Sequence, residues 1–240
     1  MELTAFKVLT FDCYGTLIDW ESGIWDALQP MIDAGNVKIG REAALEAFAR
    51  HESAQESATP AMIYSDLLAL VHGQLAEEWG VGPDLSQDQA FGQSVPAWPA
   101  FADSATALEY LKQHYKLVIL SNVDRASYKA SNKKLGVEFD AVFTAEDIGS
   151  YKPDPRNFAY LIEHLKSDLG LEKKAVLHTA QSLFHDHAPA GRAGLARAWI
   201  DRRQGQAGPG ATMPLAERPA VDFYFPTLAD LVTAHKLLLR

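Results

Sequence analysis

The chain has 240 residues, enough for one large domain or two modest ones, and its 48% hydrophobic and 22% charged residues are those of an ordinary globular protein. A net charge of −9 and a pI near 5.3 argue against nucleic acid or an anionic membrane surface as partner, while leaving room for a locally positive site that takes a small anion. The single Cys13 excludes an internal disulfide and suits a reducing compartment, the N-terminus lacks a signal-peptide pattern, and no run approaches the ~20 apolar residues of a membrane span; the expectation is a cytoplasmic protein.

The first apolar run, Val8-Leu-Thr-Phe-Asp-Cys-Tyr-Gly-Thr-Leu17, reads as a buried strand ended by a glycine turn. Asp12 then lies at the carboxyl end of that strand, where open α/β sheets place their ligands. A carboxylate there serves as nucleophile, as metal ligand or as cap of the next helix, and the local sequence leaves the three open. Residues 20–96 are helical throughout in pattern. Ile24, Leu28 and Met31/Ile32 recur at helical spacing before Gly35; Glu42 to Ser57 is Ala-rich with Leu45, Phe48 and Ala49 on one side; Ile63 to Trp79 is amphipathic; a weaker helix covers Ser86 to Gly92. After Pro96 and Pro99, strands and helices alternate. Helices are expected at Ala102–His114, Arg125–Leu135, Asn157–Leu169, 188–194 and Thr227–Leu239, and strands at Lys116–Leu120, Ala141–Thr144, Ala175–Thr179 and Ala196–Asp201. The alternation predicts an α/β fold: a doubly wound, Rossmann-like parallel sheet formed by residues 1–19 and 97–240, with residues 20–96 inserted as an all-helical cap over its carboxyl edge. Arg202 to Ala220 is a long Gly/Pro-rich stretch, either a lid or a mobile connection.

Four strand ends thus send polar groups to one edge: Asp12, Ser121-Asn122, Lys152, and Ser182 with Asp186. In order and type they resemble the four motifs of the haloacid dehalogenase superfamily: a nucleophilic Asp, a Ser or Thr, a Lys and a pair of acids. Phosphatases of that superfamily carry a second Asp two residues after the first, which protonates the departing alkoxide. Tyr14 stands there and is no comparable acid near neutral pH. The phosphatases also hold magnesium with the nucleophile and a motif-four Asp, where this chain has Gln181-Ser182. A halide leaving group needs neither proton donor nor metal, save that fluoride needs strong hydrogen bonds. Asp12-x-Tyr-Gly-Thr-Leu, Leu120-Ser-Asn122 and Tyr151-Lys-Pro-Asp154 together resemble the type II L-2-haloacid dehalogenases.

That resemblance implies a metal-independent hydrolase, without cofactor, acting on a small halogenated carboxylic acid through an aspartyl ester. Asp12 is the implied nucleophile. Lys152 keeps it ionised by lowering its pKa, Thr16 hydrogen-bonds it, and Asp186 directs the hydrolytic water. Ser121 and the amides of Cys13 and Tyr14 would hold the substrate carboxylate, and Asn122 would meet the halide. A cap arginine is expected at the halide as well, because a desolvated anion needs a cation. Of Lys38, Arg41 and Arg50, Arg50 matches the family position best. Ser182 and His185 enter the pocket wall, His185 in place of the family's Trp and Leu183 in place of its Asn. Adjacent histidines at 178, 185 and 187 also raise a transition-metal site, which the resemblance does not predict. Assembly through the cap into a homodimer is implied too. The alternatives are a phosphatase or phosphonatase of the same superfamily and a catalytically inactive binder of small carboxylates.

Overall fold

Val8–Phe11 forms β1, and all four of its residues are buried, as in a strand covered on both faces. In the computed structural model, which describes residues 1–239, β1 pairs in parallel with β2 (Lys116–Ser121) on one side and β4 (Val176–Ala180) on the other. Beyond β2 lies β3 (Ala141–Thr144); beyond β4 lie β5 (Ala196–Ile200) and β6 (Phe223–Phe225). The strand order is therefore β3-β2-β1-β4-β5-β6, all parallel among the described residues. The chain winds outward from β1 in one direction and then in the other, so the carboxyl end of β1 is the topological switch point where a crevice opens.

Between β1 and β2 come α1 (Trp20–Ala34), α2 (Arg41–Ala58), α3 (Tyr64–Glu78), α4 (Leu85–Gly92) and α5 (Ser104–Leu111). The first four fall in the stretch read as a helical insert. Each start has a local cause where a side chain supplies the missing acceptor: Asp19 accepts from Ser22 N, and Asp84 from Ser86 N and Gln87 N. Helix α1 closes on the loop before α5 at Gly23, where a Cβ would come within 2.2 Å of the Trp98 ring, so only glycine permits the approach.

Successive residues of β1 feed opposite sides of the sheet. Leu9 and Phe11 pack with Leu117, Ile119, Leu108, Leu111, Leu135 and Leu231, the last three from α5, α6 (Arg125–Leu135) and α10 (Leu228–Leu238). After β3 follow α7 (Ala145–Ile148), α8 (Pro155–Leu169), α9 (Ala188–Arg192) and, at the end of the chain, α10 (Leu228–Leu238). Val8 packs the other way, with Val118, Leu120 and Phe158, Leu161 and Leu165 of α8. Leu161 is fully buried, and that burial contributes about 1.5–3 kcal/mol. Asp154 caps α8 by accepting from Arg156 N, Pro155 occupies its first turn, and Gly170 at φ 65° ends it.

Several boundaries differ from expectation. The helix expected at 102–114 is α5 alone, because Gln113 and His114 turn into i,i+3 hydrogen bonds to Tyr110 and Leu111. The helix α8 starts at its proline, two residues earlier than expected. Neither α7 nor the three-residue β6 was expected, each being too short to show a period. The stretch before α9 winds into a π-helical turn, Leu183–His187, with Ser182 accepting from His185 N at its start. The 202–220 stretch is neither helix nor strand but is tied down: Arg203 pairs with Glu21 and Glu42, Gly210 N donates to Glu42 Oε1 at 2.9 Å, and Ala211 is buried. Among the described residues no helix is long and apolar enough to cross a membrane.

Candidate functional site

Asp12 follows the last residue of β1, and the chain turns at once at Gly15, whose φ of 89° favours glycine. The turn is closed by Gly15 N donating to Ile18 O at 2.7 Å. It puts Thr16 back under the carboxylate. Thr16 Oγ1 donates to Asp12 Oδ2 at 2.9 Å and accepts from Gln181 N at 2.9 Å, so strands β1 and β4 jointly orient the group.

Lys152, only 1% exposed, sits between two carboxylates. Its Nζ donates to Asp12 Oδ1 at 2.9 Å, to Asp186 Oδ1 at 2.7 Å and to Leu120 O at 3.0 Å. Asp186 Oδ1 also takes His178 Nε2 at 3.0 Å. An ionised carboxylate only accepts, so His178 carries its proton on Nε2, and Nδ1 accepts from Thr10 Oγ1 at 2.9 Å. Two carboxylates therefore share one ammonium, and their environments separate them. Burial pushes Asp12 up to about 6, although Lys152 and Thr16 both favour its charged form. Burial would raise Asp186 too, but Lys152 and His178 overcome it and hold Asp186 below the usual carboxylate range. For Lys152, burial opposes the charge and the two aspartates more than restore it, holding it above the usual lysine range. The Lys152 contact favours the charged Asp12, and burial outweighs it.

Around Asp12 lies a cavity of about 30 Å³, enough for about two water-sized groups. From the strand ends it is lined by Tyr14, Ser121, Asn122, Lys152, Ser182, His185 and Asp186, and from the helices opposite by Trp20, Glu52, Glu56 and Tyr64. Ser121 Oγ, Asp186 Oδ2 and His185 Nε2 are buried there without a hydrogen-bond partner, and the amides of Cys13 and Tyr14 also have none among the described residues. The Tyr14 phenol turns away to Ser131 Oγ at 2.8 Å and packs edge-on against Trp98. Ser182 Oγ lies 3.3 Å from His185 Nδ1 and 3.2 Å from Thr212 Oγ1. Burial pulls His185 down to about 4, so the ring is neutral. A larger cavity of about 360 Å³, lined mainly by α1, α4 and His72, shares no lining residue with this one.

Two residues depart from the expected roles. Asn122 reaches the cavity, but its Nδ2 donates to Glu56 Oε1 at 3.0 Å and Lys152 O at 2.9 Å while its Oδ1 accepts from Lys152 N, so its donors are engaged. Arg50 does not reach the cavity at all. It is exposed and bound to Glu78 at 2.8 Å, because residue 50 lies about 200° around α2 from both Phe48 and Glu52, which face inward. Arg41 binds Ser22 and lines a different cavity with Arg202 and Arg203, and Lys38 binds Asn36. Lys152 is the only lysine or arginine at the Asp12 cavity among the described residues.

The inward positions of α2 are Glu52 and Glu56, which the sequence reading passed over. The signal was present: Leu45, Phe48 and Ala49 define a stripe that continues to 52 and 56. Tyr64 Oη donates to Glu52 Oε1 at 2.6 Å. Burial pushes Glu52 up to about 8 and Glu56 well above the usual range, the latter with help from Glu52.

The three histidines diverge: His178 bridges Thr10 and Asp186, His185 faces the cavity, and His187 Nε2 donates to Ala180 O at 2.8 Å. A hard divalent cation takes several oxygens, and the superfamily's magnesium position fits poorly here. Both Asp12 oxygens already accept from Lys152 and Thr16, and Ser182 supplies a hydroxyl engaged with His185.

A family model described as haloacid dehalogenase-like hydrolase matches residues 6–179. The chain is 28% identical over 209 residues to (S)-2-haloacid dehalogenase 4A of Burkholderia cepacia, covering 83% of this chain and 84% of that protein. Its structure is similar to that of the L-2-haloacid dehalogenase from Xanthobacter autotrophicus, with a TM-score of 0.74 and 23% identity over 96% of this chain and 98% of that one. It is also similar to the defluorinating L-2-haloacid dehalogenase Rha0230, with a TM-score of 0.77 and 21% identity over 99% and 98% of the two chains.

Proposed function

Because the chain belongs to the haloacid dehalogenase-like hydrolases, we propose that it hydrolyses the carbon–halogen bond of a small 2-haloalkanoic acid. The observation that carries this is the set of free donors beside an ion-paired carboxylate. Ser121 Oγ and the amides of Cys13 and Tyr14 are unpartnered among the described residues, adjacent to Asp12 and suited to a carboxylate. The neighbouring Tyr14 phenol is turned into the core and gives no acid to an alkoxide. A phosphate dianion is also poorly matched to a cavity with one lysine and two ionised aspartates.

In this reading Asp12 attacks C2, the C–O bond of an ester forms and the halide leaves with the bonding pair. Lys152 holds Asp12 charged and then faces the ester oxygens. Water on Asp186 Oδ2, which is free, attacks the Asp12 carbonyl carbon; the 2-hydroxy acid departs, one proton goes to solvent and Asp12 is regenerated. The cavity of about 30 Å³ favours two-carbon acids over larger ones. Residues 20–96 act as a cap that closes over residues 1–19 and 97–240, and self-association through that cap belongs to the same reading.

The test is halide release from chloroacetate, bromoacetate, fluoroacetate and each enantiomer of 2-chloropropionate, with and without a chelator. Chelator-insensitive release that is abolished in Asp12→Asn supports the reading. Magnesium-dependent hydrolysis of a phosphate ester without halide release would overturn it.

A further inference from the structure

Displacement at carbon expels the leaving group on the side opposite the nucleophile. Strand ends surround Asp12, so the far wall of the cavity is the helical one, made by Trp20, Glu52, Glu56 and Tyr64. Glu52 and Glu56 are four residues apart on α2 and only 2% and 5% exposed. The departing halide thus meets two carboxyl groups where a cation was expected. Lys152 relieves Glu56 only in part, being already engaged by Asp12, Asp186 and Leu120.

Two neighbouring buried carboxyls without a cation of their own do not both ionise. The directions at Glu52 and Glu56 agree: both are raised by burial, and the opposing contacts from Tyr64, Asn122 and Lys152 do not reverse it. A carboxyl that keeps its proton is a hydrogen-bond donor. Glu56 Oε1 is taken by Asn122, and Oε2 lies 3.8 Å from the unpartnered, neutral His185 Nε2. Glu56 Oε2 thus lines a cavity whose Ser121, His185 and Asp186 atoms also await a ligand.

We propose that Glu56, beside Glu52 on the helical wall, donates a hydrogen bond to the halide as it leaves, and that this favours leaving groups most dependent on such a bond, fluoride above chloride and bromide. This rests on the hydrolytic reading above. As the Asp12–carbon bond forms and the carbon–halogen bond breaks, the halide takes the electron pair; the proton stays on Glu56 throughout. The groups facing Glu56 are Glu52 on its own helix, Tyr64 from α3, Tyr151 and Lys152 from the loop before α8, and His185 and Asp186 from the π-helical turn. Asp154 and Arg156 lie at the outer edge.

The experiment compares fluoride release from fluoroacetate with bromide release from bromoacetate in wild type, Glu56→Gln and Glu56→Leu. In wild type the fluoride-to-bromide ratio of kcat/KM falls as pH rises far enough for Glu56, held well above the usual carboxylate range by burial and by Glu52, to lose its proton. The Gln variant keeps a donor and cannot titrate at that position, so its ratio flattens with pH. The Leu variant loses the donor, and its ratio drops about 10- to 100-fold at neutral pH, as expected for one hydrogen bond to a charged group. Because Gln is isosteric, the pH profile decides the matter even where Leu fails to fold. Bromide release with the same ratio in all three proteins overturns the role of Glu56 alone. Absence of halide release from either substrate in wild type overturns the hydrolytic reading and this inference with it.

Discussion

Asp12→Asn is expected to inactivate the protein and to make it more stable. Asp12 is 5% exposed and shares Lys152 with Asp186, and burial lifts it from 3.8 to about 6. At 1.36 kcal/mol per pKa unit, keeping it charged in the folded state costs up to about 3 kcal/mol. The sign follows from the folded value lying above the unfolded one. The cost is full above about pH 6, declines as the folded carboxyl takes up a proton, and vanishes below about pH 4. Asparagine removes the charge and leaves Lys152 with Asp186 as a one-to-one pair; its carbonyl oxygen accepts from Lys152 and its amide faces the Thr16 hydroxyl. For a chain of this size the gain corresponds to a rise in Tm of about 6–12 °C at pH 8, shrinking towards zero in acid. Thermal and urea unfolding of both proteins across that range measure it. A variant less stable than wild type at pH 8, or a difference that does not change with pH, refutes the reasoning, because Asp12 would then not be the strained partner of the pair.

The same ionisation sets the activity: kcat/KM for halide release should fall about tenfold per pH unit below about pH 6, since only the carboxylate attacks. Lys152→Met should move that acid limb upward by a unit or more, and an unshifted limb in its pH–rate profile counts against Lys152 as the group that keeps Asp12 charged. Arg50→Ala should leave halide release within about twofold and stability within about 1 kcal/mol, because its partner Glu78 is also at the surface; a large loss of turnover would restore it to the site. Gly23→Ala should destabilise by about 1–3 kcal/mol through the clash with Trp98, read as a lower urea midpoint at unchanged slope.

The sheet was legible because its strands are short apolar runs bounded by turn residues, and because the four polar strand ends arrive in chain order. Asp12, Thr16, Lys152 and Asp186 lie within hydrogen-bonding range of one another or of a shared partner, although they are separated by up to 174 positions. The helical wall was less legible, for a physical reason. A strand end announces itself by where the apolar run stops, whereas a helix announces only a phase. Arg50, the cation that best matches the family position, falls outside that phase, and the stripe of Leu45, Phe48 and Ala49 leads to glutamates instead. Charge at a buried position is so unfavourable that polarity argues against Glu52 and Glu56 being inward; the local pattern does not reveal the neighbours, Tyr64 and Asn122, that make their burial tolerable. Likewise β6 is held by register with β5 and the π-helical turn by Ser182, and neither influence has a period to read.

The strap that leaves β5 has a kinetic consequence. Arg203 joins it to Glu21 in the first turn of α1 and to Glu42 in the first turn of α2. A chamber holding only about two water-sized groups admits substrate only when its walls part. If α1 and α2 swing from the sheet to do so, they either carry the strap with them or release Arg203 first. Admission of substrate is then a gated event whose latch lies on the strap after β5 and not on the strand that carries the nucleophile, and loss of the Arg203 side chain would speed opening without touching the reacting atoms.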